Sequence, residues 1–254
     1  MSKKTKTLRL ILGDQLNHNH SWFKETADSA TYLMMEVHAE SEYVKHHIQK
    51  VIAFFLSMRA FAEELQAKGF KVVYITLDDR DNSRSLEGNI KRIIESGDYK
   101  AFEYQQPDEY RVSQNLRALC KNLSVQSRCV SSEHFLVETD FFAAVFKGHK
   151  RYVMESFYRA VRKRYDLLME DGEPLGGRWN FDAENRNKLP KDLKPPQPKI
   201  FRRDVSDLIN LIKSQKLQTI GQVAPDNFTW PVTRAEALST LKSVSYTHLR
   251  AHET

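Results

Sequence analysis

"TLRLILGDQL", residues 7–16, decides the fold. Its apolar run from Leu8 to Leu12 is broken only by Arg9 and halts at Gly13 and Asp14. Such a run, closed by a glycine, marks a strand buried on both faces, and strands of that kind belong to parallel sheets. "TYLMMEVHAE", residues 31–40, repeats the plan.

The run "EYVKHHIQKVIAFFLSMRAFAEELQAKG", residues 42–69, carries apolar residues at helical spacing (Val44, Ile48, Val51, Ile52, Phe55, Met58, Ala62, Leu65) and predicts one long helix capped by Gly69. "FKVVYITLDD" reads as a third strand, "SLEGNIKRIIES" as a helix closed by Gly97, and "YKAFEYQ" as a fourth strand. "EYRVSQNLRALCKNL" is a further helix and "SVQSRCV" the fifth strand. Strands alternating with helices imply right-handed crossovers, hence an α/β domain of the doubly wound, Rossmann-like kind, with a five-stranded parallel sheet covered on both faces. Ligands of such sheets sit beyond the carboxyl ends of the strands. Gly13, Asp14, Met35, Glu36 and Glu40, on or just after the first two strands, are therefore the places to look for a small molecule. The loop "GDQLNHNH" supplies one glycine and no G-x-G-x-x-G, which disfavours ordinary dinucleotide binding.

Lysine plus arginine outnumber aspartate plus glutamate 39 to 33, for a formal charge of +6, which permits an anionic partner and equally serves solubility. Two cysteines, Cys120 and Cys129, are too few for a disulfide framework and fit a reducing cytoplasm. The basic N-terminus lacks the apolar stretch of a signal peptide, and no run approaches the roughly 20 residues that cross a bilayer. His46 and His47 are adjacent and read as structural, while His18 and His20 alone make no closed metal site.

The character changes after residue 132. "RYVMESFYRAVRKRYDLLM" is a basic helix whose Arg159, Arg162, Lys163 and Arg164 read either as a solvated face or as contacts to the phosphates of DNA. "GGRWNFDAENR", residues 176–186, is rich in aromatic and charged residues without strand or helix period, and "KLPKDLKPPQPK" gathers four of the eight prolines into an extended linker. Trp179 and Phe181 are expected to anchor the linker, with Arg178, Asp182, Glu184 and Arg186 pairing around them, as a clasp. "DVSDLINLIKSQ" and "TRAEALSTLKS" are two amphipathic helices with N-cap candidates Asp204 and Thr233, and the apolar face Ala235, Leu238, Leu241 of the second has no later element to cover it. "VSYTHLRAHET" continues neither pattern and resembles a translated sequencing adaptor, so a gene cut short near Ser243 is expected. The expected divisions are 1–132 for the α/β domain and 133–200 for basic helix, clasp and linker. Residues 201–243 would begin a helical domain, and 244–254 would be a non-native tail.

"LILGDQL", "EVHAESEYVKHHIQK", "FAEELQAKGFKVVYITLDD", "MESFYR" and "GGRWNFDAENR" together resemble the amino-terminal half of the deoxyribodipyrimidine photolyase-related family, the prokaryotic iron–sulfur (6-4) photolyases and cryptochromes, from about Leu8 to about Lys242. The resemblance implies an antenna domain for a light-driven DNA repair lyase, which would bind 6,7-dimethyl-8-ribityllumazine and pass its excitation to flavin. Gly13, Asp14, Met35, Glu40, Tyr43 and Phe54 would form that pocket, Phe54 leaving less room than a smaller aliphatic residue. FAD and a [4Fe-4S] cluster would sit in a C-terminal domain absent from this chain, which would be inactive alone, with no catalytic residue of its own. Its partners would be damaged DNA in the full-length protein and its own missing domain. A cryptochrome-like photoreceptor, a stand-alone nucleotide- or flavin-binding module and a basic nucleic-acid-binding protein without chromophore remain the alternatives.

Overall fold

In the computed structural model, which describes residues 6–24, 29–180 and 197–249, five strands form one parallel sheet in the order β3-β2-β1-β4-β5. They are β1 (Thr7–Leu10), β2 (Ala30–Met35), β3 (Val72–Ile75), β4 (Ala101–Gln105) and β5 (Gln126–Val130). The register pairs Thr7 with Ala30 on one side and with Ala101 on the other. β2 is buried at every position, whereas β5 exposes four of its five residues at the sheet edge.

Two helices, α1 (His38–Glu42) and α2 (Ile48–Ala67), connect β2 to β3, and α2 packs Met58, Phe61, Ala62 and Leu65 with Ile11, Trp22, Tyr32 and Met34. α3 (Leu86–Ser96) and α4 (Tyr110–Lys121) bury Ile90, Ile94, Val112, Leu116 and Leu119 in a second core with Leu8, Leu10, Leu33, Phe102 and Tyr104. The alternating side chains of the strands divide between the two cores, so both faces of the sheet are covered.

The long helix predicted over 42–69 begins only at Ile48, and residue 42 ends the separate short helix α1. His47 caps α2, its Nδ1 accepting the Gln49 N–H at 3.2 Å, and the Ile48 N–H donates to the Ile220 carbonyl at 2.9 Å while the Ile220 N–H donates to His46 at 2.9 Å. That pairing with a distant segment breaks the local helical period. At the other end the expected stop holds. Gly69, at φ 86°, donates to the Gln66 carbonyl and Phe70 to that of Leu65, the two bonds of a Schellman motif whose left-handed position favours glycine.

The chain divides into two compact units, residues 1–132 with 197–254, and residues 133–196. In the first, α7 (Ser206–Ser214) lays Leu208, Ile209 and Ile212 against Ile48, Val51, Ile52 and Phe55 of α2, with Phe228 buried among them. α8 (Arg234–Leu249) opens with a capping box in which Thr233 Oγ1 accepts the Glu236 N–H at 3.2 Å and Glu236 accepts that of Thr233 at 3.3 Å. Leu238 and Leu241 of this helix are exposed, and with neither glycine nor proline to stop it α8 runs to Leu249.

The second unit contains α5 (Thr139–Val145), α6 (Met154–Tyr165) and a short hairpin of β6 (Met169–Glu170) and β7 (Glu173–Pro174). Phe142, Phe146, Tyr152 and Phe157 cluster around α5 and α6, with Phe146 buried.

Candidate functional site

β1 and β4 are neighbours in the sheet, and the chain leaves them in opposite directions across it: β2 and β3 follow on one side, β5 on the other. The crevice beyond their carboxyl ends is the topological switch point. Gly13 and Asp14 turn the chain there after β1. A Cβ on Gly13 would lie 2.9 Å from Met58 Sδ and 3.1 Å from Phe54 Cδ1, so a larger residue here would push on the Met58 and Phe54 side chains of α2. Gln15 of the same motif is buried and structural. Its Oε1 accepts the Leu12 N–H at 3.0 Å, and its Nε2 lies 3.3 Å from the carbonyls of Gln105 and Gln106, tying the loop after β1 to the end of β4.

Two acids follow β2, and their surroundings separate their roles. Glu36 is 1% exposed. Its Oε1 accepts from Arg59 Nε at 2.7 Å and the Tyr74 hydroxyl at 2.8 Å, its Oε2 from Arg59 Nη2 and the Leu77 N–H at 3.0 Å each. All four lone-pair directions of the carboxylate are thereby used, which makes Glu36 part of the scaffold. Burial, with Glu36 alongside, pushes the Tyr74 phenol far above its ordinary value. Glu40, one turn into α1, is about one-third exposed and faces Arg111 of α4, whose Nη1 and Nη2 lie 3.1 and 2.7 Å from its two oxygens. Arg111 also holds Glu109 at 2.8 Å and lies 4.2 Å over the Tyr43 ring. The Glu40 bonds above all, joined by those to Glu109, hold the guanidinium firmly in its charged form.

A cavity of about 270 Å³ opens at this point, with Met35, Val51, Phe55, Met58 and Val112 as buried apolar walls. Gly13, Asp14, Glu40, Tyr43, His46, Lys50, Phe54 and Glu109 complete it. Tyr43 and Phe54 are half-exposed, 46% and 39%. Lys50 Nζ is 3.2 Å from His46 Nδ1, and burial, aided by Lys50, lowers the His46 pKa from its ordinary value, opposed by Glu109. A small apolar chamber with carboxylates on one rim suits a compact heterocycle whose ring edge or side chain donates hydrogen bonds.

The structure thus brings Gly13, Asp14, Met35, Glu40, Tyr43 and Phe54 around one cavity. Sequence reasoning missed Arg111, Glu109, Lys50 and Pro107, because it followed only the loops after the first two strands. The motif "QPDEYR" after β4 was the available signal, since a switch point always has two strands. His46 and His47, expected on a helix, lie in the turn before α2. His18 and His20 are set apart by their bonds: His18 pairs with Glu64 at 3.0 Å, and buried His20 reaches the Ser131 carbonyl at 3.0 Å. Among the described residues no three His, Cys, Asp or Glu side chains converge as a metal site would require.

In the second unit the four cations of α6 do not act alike. Arg162 is 5% exposed, its guanidinium donating to the carbonyls of Leu167, Leu168 and Trp179 and to the Tyr158 hydroxyl. Arg159, Lys163 and Arg164 are exposed. Arg159 pairs with Glu155 at 2.6 Å, and Arg159, Arg162 and Lys163 surround the Trp179 ring at 5.1 to 5.5 Å. The contacts of Trp179 therefore include the basic helix of its own unit, while Phe181, Asp182, Glu184 and Arg186 of the expected clasp lie outside the described residues.

Residues 9–230 match the family model of the deoxyribodipyrimidine photo-lyase-related proteins. A (6-4) photolyase of Agrobacterium fabrum is 36% identical over 237 residues, which cover 91% of this chain and 46% of that protein. An uncharacterized protein of Acanthamoeba polyphaga mimivirus is 20% identical over 156 residues, covering 59% of this chain and 76% of its own length. The chain spans about half the length of the photolyase it matches. With the family model matched over most of its length and that identity beside it, the chain belongs to the deoxyribodipyrimidine photo-lyase-related protein family.

Proposed function

We propose that the α/β unit is the antenna-chromophore domain of a light-dependent DNA repair enzyme of the (6-4) photolyase kind, and that the cavity at the switch point holds 6,7-dimethyl-8-ribityllumazine. The observation that carries this reading is the pairing of apolar walls with a carboxylate rim in about 270 Å³, close to the lower end of small-molecule sites at roughly 300 Å³. The donor set fits. Glu40, held in place by the two Arg111 bonds, suits a ring N–H, while Asp14 at the rim suits the hydroxyls of a ribityl chain. Met35, Phe55 and Met58 exclude water from the apolar part, and Phe54 narrows the mouth.

When bound, the lumazine would supply harvested excitation to a reduced flavin. FAD and an iron–sulfur cluster would belong to a further domain of the longer protein, since a [4Fe-4S] cluster takes four thiolates and this chain has two cysteines. Damaged DNA would be the partner of that longer protein. The test is direct. Purified chain, incubated with the lumazine or with riboflavin and passed through gel filtration, is expected to carry a violet absorption band with the protein peak. A band that elutes wholly with the small molecules refutes the antenna assignment.

A further inference from the structure

We infer that Arg111 is a positioning residue: it fixes Glu40 and Tyr43 in the geometry that receives a ligand, without lining the cavity itself. The inference rests on the reading of the cavity as a ring-binding site. Its basis is a weakness in α1. That helix has five residues, Val37 at its N-cap makes no side-chain bond, and so short a helix cannot hold itself in water. Its start is tied down, because the Ala39 N–H donates to the Arg84 carbonyl at 3.2 Å and His38 Nε2 lies 3.3 Å from the Gln215 carbonyl. Its middle carries Glu40 and its C-cap is Tyr43, and there Arg111 supplies the fastening.

The guanidinium suits the task. It presents two parallel donors to Glu40, at 3.1 and 2.7 Å, which fixes the rotation of the carboxylate as a single bond would not. Nη2 is shared with Glu109 Oε2 at 3.1 Å, so one cation bridges two acids that both line the cavity. Its flat face covers Tyr43 at 4.2 Å, an attractive arrangement of cation and ring. Residues following β2 and residues following β4 are thus latched together over the crevice.

The test uses the 254-residue chain with Arg111→Met and Arg111→Lys. Dissociation constants for the lumazine and riboflavin are read by fluorescence, hydrogen exchange by the backbone amides of residues 39–43, and stability by thermal melting. Arg111→Met is expected to weaken ligand binding at least about tenfold, because Glu40 and Tyr43 then have to be ordered when the ligand binds. Exchange at residues 39–43 should quicken by a similar factor. Arg111→Lys should recover only part of the affinity, because an ammonium cannot make the parallel pair, and both variants should melt within about 4 °C of the parent.

Unchanged affinity in Arg111→Met overturns the inference. So does a loss of affinity that tracks global melting with no recovery in Arg111→Lys. Should the parent bind neither compound, the antenna reading fails on its own, and exchange then decides the latch: faster opening of residues 39–43 in Arg111→Met sustains it, and unchanged opening ends it.

Discussion

Glu40 and Arg111 meet fork to fork, Nη1 3.1 Å from Oε1 and Nη2 2.7 Å from Oε2, one residue following β2 and the other following β4. The bond therefore spans the crevice at which the sheet reverses its winding. It also leaves one lone pair on each oxygen of Glu40 for a ligand.

Glu40→Gln replaces one of those oxygens by an amide that points hydrogens at a guanidinium or at the ligand's donor. Both side chains of the pair are about one-third exposed, so the loss of stability should stay below about 1 kcal/mol. Ligand affinity should fall about tenfold or more, because the acceptor then meets the ring with the wrong polarity. Fluorescence titration beside urea denaturation separates the two effects, and a variant that binds like the parent would place the ligand's donor elsewhere.

Glu36, four residues earlier, should behave in the opposite way. Its carboxylate is fully enclosed and holds Arg59, Tyr74 and the Leu77 N–H. Glu36→Gln removes the charge that Arg59 pairs with and turns an acceptor into a donor against its neighbours. A cost of about 2–4 kcal/mol is expected. The urea midpoint should drop with the m-value unchanged, and a variant as stable as the parent would show that the network carries little of the fold.

Tyr74 gives this network a pH dependence on the alkaline side. Its pKa in the folded protein is raised above the ordinary 10.0, chiefly by burial and then by Glu36. A raised phenol keeps its proton in the folded state after the unfolded chain has lost it, so unfolding releases a proton above pH 10. Its contribution to stability is complete below pH 10 and declines as pH climbs beyond, by up to about 1.4 kcal/mol per pH unit for one group. Tyr74→Phe should flatten that decline by one proton's worth while costing the hydrogen bond to Glu36 at every pH. Urea midpoints from pH 8 to 11 read both, and parallel curves for parent and variant would exclude Tyr74 as the titrating group.

Legibility in the sequence followed how local each cause was. The buried run of β1 and the stop at Gly69 are set by a few neighbouring residues, and each stood in the sequence. The break between α1 and α2 did not, because it depends on Ile220, more than 170 residues away, pairing with His46 and Ile48. Arg111 escaped for a related reason. The alternation of strands and helices predicts a parallel sheet without its strand order, and only the order reveals that the loop after β4 faces the loop after β1. The charge pattern of α6 was visible as well, yet a list of cations does not say which of them turns inward.

Arg162 is the one that does, and the difference is measurable. After α6 the backbone enters the left-handed region at Asp166, φ 53°, and again at Leu168, φ 54°, a costly conformation for residues other than glycine. The buried guanidinium of Arg162 binds the Leu167 and Leu168 carbonyls of this turn and the Trp179 carbonyl beyond it, so it compensates that cost and braces the turn against the later segment. Arg162→Ala should lower the stability of the 133–196 unit by about 2–4 kcal/mol, whether or not DNA is present. Lys163 and Arg164 are exposed, with their cations 5.5 Å over Trp179 and 4.3 Å over Phe141. The double reversal Lys163→Glu, Arg164→Glu should cost no more than about 2 kcal/mol of packing and, on the proposal that this face contacts DNA, its signature should be a weaker, less salt-dependent affinity of the chain for DNA. Melting curves and binding isotherms at two salt concentrations distinguish the roles. DNA affinity that survives the double reversal at both salt concentrations would assign the exposed face of α6 to solvent.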